Sequence, residues 1–169
     1  MNNIPIETER KYLIRYPDTA VLDALPGARI LHMRQTYLLA DDSVTARVRQ
    51  VEENGALRYI RTEKRRISAI SSYEDERELT ADEYKAALKT ADPQRQTVVK
   101  TRYAIPHGSL ICEIDVYPFW ADRAILEIEL PDEDAEVSLP DYVTVIREVS
   151  GDRRYSNRSL AKSVPMDEI

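Results

Sequence analysis

The chain has 169 residues, 43% of them hydrophobic and 32% charged, with 24 Lys+Arg against 30 Asp+Glu and a formal net charge of −6. That length fits one domain, residues 1–169, with enough buried surface for a real core, and the composition excludes disorder and fibrous repeats. The acidic balance argues against a nucleic-acid binder, and the single cysteine, Cys112, excludes an intrachain disulfide and a cysteine-rich zinc site.

No apolar run approaches the ~20 residues of a bilayer span, and the N-terminus lacks the basic and apolar regions of a secretory leader. These features read as a soluble cytoplasmic protein with no membrane partner. Alternation with a period of two recurs along the chain and predicts two-faced strands. The first covers residues 6–14, IETERKYLI. Asp18 caps a two-turn helix that Pro26-Gly27 stops. Strands follow at 34–39 and 44–51, with Asp41-Asp42 as the turn between them. Asn54-Gly55 marks a hairpin turn before strand 57–66.

After strand 72–79, Thr80 and Glu83 form a capping box that opens a helix over 81–90. The second half gives strands 96–105, 109–117, 123–130 and 142–149, with His107-Gly108 turning between the first two. Residues 154–163 read as a turn and short helix capping the sheet. In "RYSN" (154–157) Ser156 and Asn157 read as helix caps. About eight long antiparallel strands with two or three helices predict an α+β fold, mostly antiparallel β, as a barrel or a strongly curved sheet.

The charges are sorted by strand. One face of the first carries Glu7, Glu9 and Lys11. The later strands carry Arg47 and Arg49, Thr62 and Lys64, Glu74, Glu76 and Glu78, Lys100 and Arg102, Glu113 and Asp115, and Glu127 and Glu129. A solvated face would mix signs, because like charges two residues apart repel. Here the signs come in blocks, and several opposite faces are apolar, which fits a barrel with a wet, charged interior. Carboxylate pairs offer hard oxygen ligands for Mg²⁺ or Mn²⁺. Arginine and lysine offer charge-assisted donors for phosphate. Together they point to a polyphosphate bridged to a divalent metal. His32 and His107 fall off the charged faces, and Cys112 belongs to the apolar back.

These motifs resemble the CYTH superfamily, the triphosphate tunnel metalloenzymes. Glu7-x-Glu9-x-Lys11 is similar to its E-x-E-x-K signature, and Arg47-x-Arg49, Thr62-x-Lys64, Glu74-x-Glu76, Lys100-x-Arg102-Tyr103, Glu113-x-Asp115 and Glu127-x-Glu129-Leu130 follow in family order. The ending 148–161 is similar to the tail of compact bacterial tripolyphosphatases. Ser72 departs from the pattern, since many relatives carry arginine there.

The resemblance implies an eight-stranded closed tunnel that hydrolyses a triphosphate, foremost inorganic tripolyphosphate, to diphosphate and phosphate. It implies Glu7, Glu9, Asp115, Glu127 and Glu129 as metal ligands, and Lys11, Arg47, Arg49, Lys64, Lys100 and Arg102 as phosphate binders. Glu7, Glu9, Lys11 and Glu129 are then the catalytic set, supported by Glu74, Glu76 and Glu113. Class IV adenylate cyclase and thiamine or nucleoside triphosphatase use the same tunnel and stay open as alternatives. A non-catalytic polyphosphate or nucleotide-binding module also stays open, as does a homodimer. The tail could instead plug a tunnel mouth and bring Arg154 or Lys162 to the ligand.

Overall fold

The structure is a computed structural model that describes residues 3–169. Its strands are β1 (Ile6–Arg15), β2 (Arg29–Tyr37), β3 (Thr45–Glu53), β4 (Ala56–Arg66), β5 (Ser71–Leu79), β6 (Val98–His107), β7 (Leu110–Val116), β8 (Arg123–Leu130) and β9 (Val145–Glu148). Among the described residues, α1 (Thr19–Ala24) and α2 (Ala81–Leu88) join strands, and α3 (Asn157–Leu160) follows β9 after a 3-10 turn. The antiparallel order β5-β4-β3-β2-β6-β7-β8-β1 closes through a β1–β5 pairing, making an eight-stranded barrel with β9 added.

Local chemistry sets the joints. Asp18 accepts from the Ala20 and Val21 amides, and the Thr80–Glu83 capping box is complete. Asn54 and Gly55 both take positive φ, 51° and 83°, as the two-residue turn joining β3 to β4 requires.

Two expected strands differ most in their bounds, the others by at most two residues at an end. β2 begins at Arg29 rather than 34, because Leu31 and Met33 join Val51 and Ile60 in an apolar patch. The strand expected over 142–149 is only Val145–Glu148, because Tyr142 and Val143 pack onto the barrel's outer core instead of pairing.

The outer wall is dry. Tyr12, Ile14, Ile105, Cys112, Ile114, Leu126 and Ile128 are buried together beneath Leu22 of α1 and the apolar side chains of residues 135–145. Leu38, Val48 and Leu79 pack with Tyr84 of α2. With the apolar residues committed outward, strand alternation turns the charged ones inward. One end is filled by Leu13, Tyr37, Val98, Tyr117, Trp120 and Ile125, packed against Tyr155, Leu160 and Ala161 of the C-terminal segment. Among the described residues no helix is long and apolar enough to cross a membrane.

The edge of β1 that closes the barrel is divided. Ile6–Thr8 pair with β5, whereas Tyr12–Ile14 pair with β9. Between them, Glu9 donates its amide to the Ile70 carbonyl at 2.9 Å, and the Lys11 amide donates to Ser150 Oγ at 2.9 Å. A left-handed Gly151 (φ 76°) lets this turn approach Ala69, where an added Cβ would stand 3.2 Å from that methyl.

Candidate active site

The barrel encloses a cavity of about 730 Å³, within the usual range of ligand pockets. Of the residues the sequence singles out, Glu7, Glu9, Lys11, Arg47, Arg49, Lys64, Glu74, Glu76, Arg102, Glu113, Glu127 and Glu129 all line it. The β1–β8 register explains the acidic side, since Glu9 faces Glu129 and Lys11 faces Glu127. Across the tunnel, Arg47 is opposite Thr62, and Thr62 is opposite Glu76.

Lys100 and Asp115 do not line the cavity. Both are buried, and Lys100 Nζ donates to Asp115 Oδ2 at 2.6 Å, while Arg102 holds both Asp115 oxygens. Lys100 and Asp115 form a buried ion pair outside the cavity lining, joined to it through Arg102. Burial, reinforced by Arg102, presses the Lys100 ammonium down to about 8.

The lining cations are mostly engaged. Arg49 Nη2 donates to Glu76 at 2.9 Å, Lys64 reaches Glu7 and, at 3.5 Å, Glu74, and Lys11 Nζ lies 3.3 Å from Glu127. Burial, then the neighbouring Arg47, lowers the Arg49 guanidinium to about 10. Arg47 forms no ion pair among the described residues, and its buried Nε has no hydrogen-bond partner.

The carboxylates divide by environment. Burial works against ionising Glu127, yet Lys11, Arg102 and Lys100 hold its pKa well below the usual range. The Glu9 carboxylate has no hydrogen bond or ion pair among the described residues, and burial followed by the charge of Glu127 pushes its pKa to about 7. Glu74 rises to about 8 through burial and a carboxylate contact with Glu7.

Sequence reasoning did not assign Arg66, Arg153, Asn157 or Arg158, which also line the cavity. Asn157 is not a cap: Ser156 caps α3, and Asn157 Oδ1 accepts from the buried Tyr117 hydroxyl at 2.6 Å. Arg154 pairs with Asp152 and Lys162 is exposed, so the tail plugs the barrel without bringing either into the lining.

An inorganic triphosphatase of Acetivibrio thermocellus is 33% identical over 131 residues, 77% of this chain and 80% of that one. Another from Nitrosomonas europaea is 32% identical over 164 residues, 94% of this chain and 99% of its own. The chain belongs to the inorganic triphosphatase family. A crystal structure of an inorganic triphosphatase matches this triphosphatase-family chain at TM-score 0.57 and 27% identity, over 94% of this chain and 96% of that one. No protein-family profile matches.

The motif resemblance implies a divalent cation in this lining. Among the described residues no three His, Cys, Asp or Glu side chains already form a metal cluster. The donor chemistry nevertheless fits a hard divalent ion: four glutamates on β1 and β8 line one cavity with no imidazole or thiolate among them. Glu127 Oε1 is buried without a hydrogen bond, despite its ion-pair distance to Lys11. The Glu9 carboxylate makes no ion pair among the described residues, so an added cation would relieve it together with Glu127 Oε1.

Proposed function

We propose that this chain is a divalent-metal-dependent hydrolase that splits inorganic tripolyphosphate into diphosphate and orthophosphate, with residues 1–169 acting as a single tunnel domain. The observation that carries this reading is the block-sorted lining of one cavity, with basic chains from β3, β4 and β6 and Lys11 of β1 beside acidic chains from β1, β5, β7 and β8. The name of the two curated relatives supports the same substrate class.

In this reading Lys11, Arg47, Arg49, Lys64 and Arg102 bind phosphate oxygens. Arg47 is the most available, since no carboxylate must first release it. Glu76 orients Arg49 and Glu113 orients Arg102, while Glu74 and Glu7 flank Lys64. Glu7, Glu9, Glu127 and Glu129 would hold Mg²⁺ or Mn²⁺, which when bound supplies charge neutralisation and a water of lowered pKa. Lys100 and Asp115 brace Arg102 from behind.

Water adds to a terminal phosphorus, and the P–O bond to the departing diphosphate breaks. The fixed guanidinium and ammonium groups stabilise the equatorial oxygens as charge redistributes, without reorganising at the moment of reaction. The test is phosphate release from tripolyphosphate with Mg²⁺ or Mn²⁺, beside ATP, GTP and thiamine triphosphate. Fast release from tripolyphosphate is expected. Formation of cyclic AMP with diphosphate would replace this reading with a cyclase, and tight binding without turnover would replace it with a binding module.

A further inference from the structure

The alternation that puts Thr62 and Lys64 on the inner face of β4 continues to Arg66, the last residue of that strand. Arg66 is directly opposite Ser72 on β5, and Ser72 is directly opposite Glu7 on β1. The three form one rung across three strands, about 10 Å wide at the usual strand spacing, and all three line the cavity. The small side chain of Ser72 leaves the middle of the rung open.

The Arg66 guanidinium is held but not neutralised. Its Nε donates to the Ser68 carbonyl at 2.9 Å, and it forms no ion pair among the described residues. Lys11, Arg49, Lys64 and Arg102 are each matched to a carboxylate. Anchoring through Nε leaves the two Nη groups for a ligand, and a guanidinium fork matches paired phosphate oxygens. A terminal phosphate presents three acceptor oxygens and close to two charges at neutral pH. A sugar at the same place offers no charge.

Building on the tripolyphosphate reading, we propose that Arg66 is a specificity-determining residue that takes the terminal phosphate of the substrate at the Glu7 end of the tunnel. The enzyme therefore favours a chain ending there in a bare phosphate over one ending in a nucleoside. Arg66 positions the chain and takes no part in bond breaking.

The experiment compares the wild type, Arg66→Gln and Arg66→Lys. Initial rates are measured on tripolyphosphate and ATP, and tripolyphosphate affinity is measured by calorimetry without divalent metal. Arg66 is exposed at a strand end, so its replacement leaves the core packing alone. For Arg66→Gln the expected result is a KM for tripolyphosphate raised tenfold or more, with kcat within about twofold and KM for ATP little changed. Arg66→Lys recovers part of the loss, because it keeps the charge but not the fork.

An unchanged KM for tripolyphosphate, or an equal rise for both substrates, overturns the role of Arg66 and leaves the hydrolase reading standing. If the wild type binds tripolyphosphate but hydrolyses no triphosphate, the hydrolase reading fails and calorimetry decides. A tenfold weaker Arg66→Gln then supports the phosphate contact, and equal affinity overturns it. No binding to the wild type at all overturns both.

Discussion

Arg102 and Asp115, cross-strand partners on β6 and β7, share a two-pronged contact: Nε donates to Oδ1 at 2.7 Å and Nη2 to Oδ2 at 2.8 Å. Asp115 is fully buried and also accepts from Lys100. Removing one partner of such a group leaves charge buried without compensation, which costs about 3–5 kcal/mol. Asp115→Ala is therefore expected to lower unfolding stability by that amount, read from the urea midpoint at unchanged slope. Loss of activity with unchanged stability would instead move Asp115 into the ligand set.

The Glu9 carboxylate lines the cavity without an ion pair among the described residues, and burial raises its pKa to about 7. If it holds the metal, Glu9→Gln keeps its size and removes the charge, and hydrolysis of tripolyphosphate is expected to fall about 100-fold or more. The metal concentration giving half-maximal rate should rise with it. Unfolding stability should hold or increase, because a desolvated carboxylate that makes no ion pair has been replaced by a neutral amide. Chelation should abolish wild-type turnover, and Mg²⁺ or Mn²⁺ should restore it. Equal rates in wild type and variant would remove Glu9 from the site.

Much of this site was legible because side-chain direction in a strand has a period of two. Once Glu7 points inward, Glu9 and Lys11 must follow, and the same rule carried Arg47, Arg49, Lys64 and Glu127 to the cavity. Depth along the tunnel was not legible, since it depends on the stagger between strands. That is why Lys100 and Asp115 looked equivalent to Arg102 and Glu113. Arg66 was within reach, being two positions beyond Lys64 in an unbroken alternation. The division of the β1 edge between β5 and β9 was not, because no local pattern records which strand an edge will meet. Asn157 was misread because Asn and Ser are both strong cap residues, and only the partner, Tyr117, decides between a cap and a core contact.

The Tyr117–Asn157 hydrogen bond fastens the C-terminal plug to the barrel floor. Tyr117→Phe retains the packing against Trp120 and Phe119 but leaves Asn157 Oδ1 without its donor. The expected loss is about 1–3 kcal/mol, the cost of an unsatisfied buried acceptor, read as a lower unfolding midpoint. Leu160→Ala, which opens a cavity in the same plug, should cost about 2–5 kcal/mol. A plug that contributed nothing to the barrel would leave both midpoints at the wild-type value.

Arg10 and Glu148 tie β9 to the outer face of β1, with Nε and Nη2 donating to the two carboxylate oxygens at 2.7 and 2.8 Å. Hydrogen bonds from Arg10 hold the Glu148 pKa below its ordinary 4.5, helped by Ser150. A carboxylate with a depressed native pKa stabilises the fold above its unfolded value and loses that contribution as pH falls through the native one. Both side chains are about one-third exposed, 34% and 37%, so solvent screening limits the pair to ~0.5 kcal/mol. Glu148→Gln is therefore expected to be less stable than the wild type by that amount at pH 7. The difference should close as pH is lowered below about 4.5 and shrink at high salt. Unfolding midpoints of the two proteins across that pH range provide the measurement. A gap that persists unchanged at the acid end would mean that packing of the Glu148 stem, not its charge, holds β9 in place.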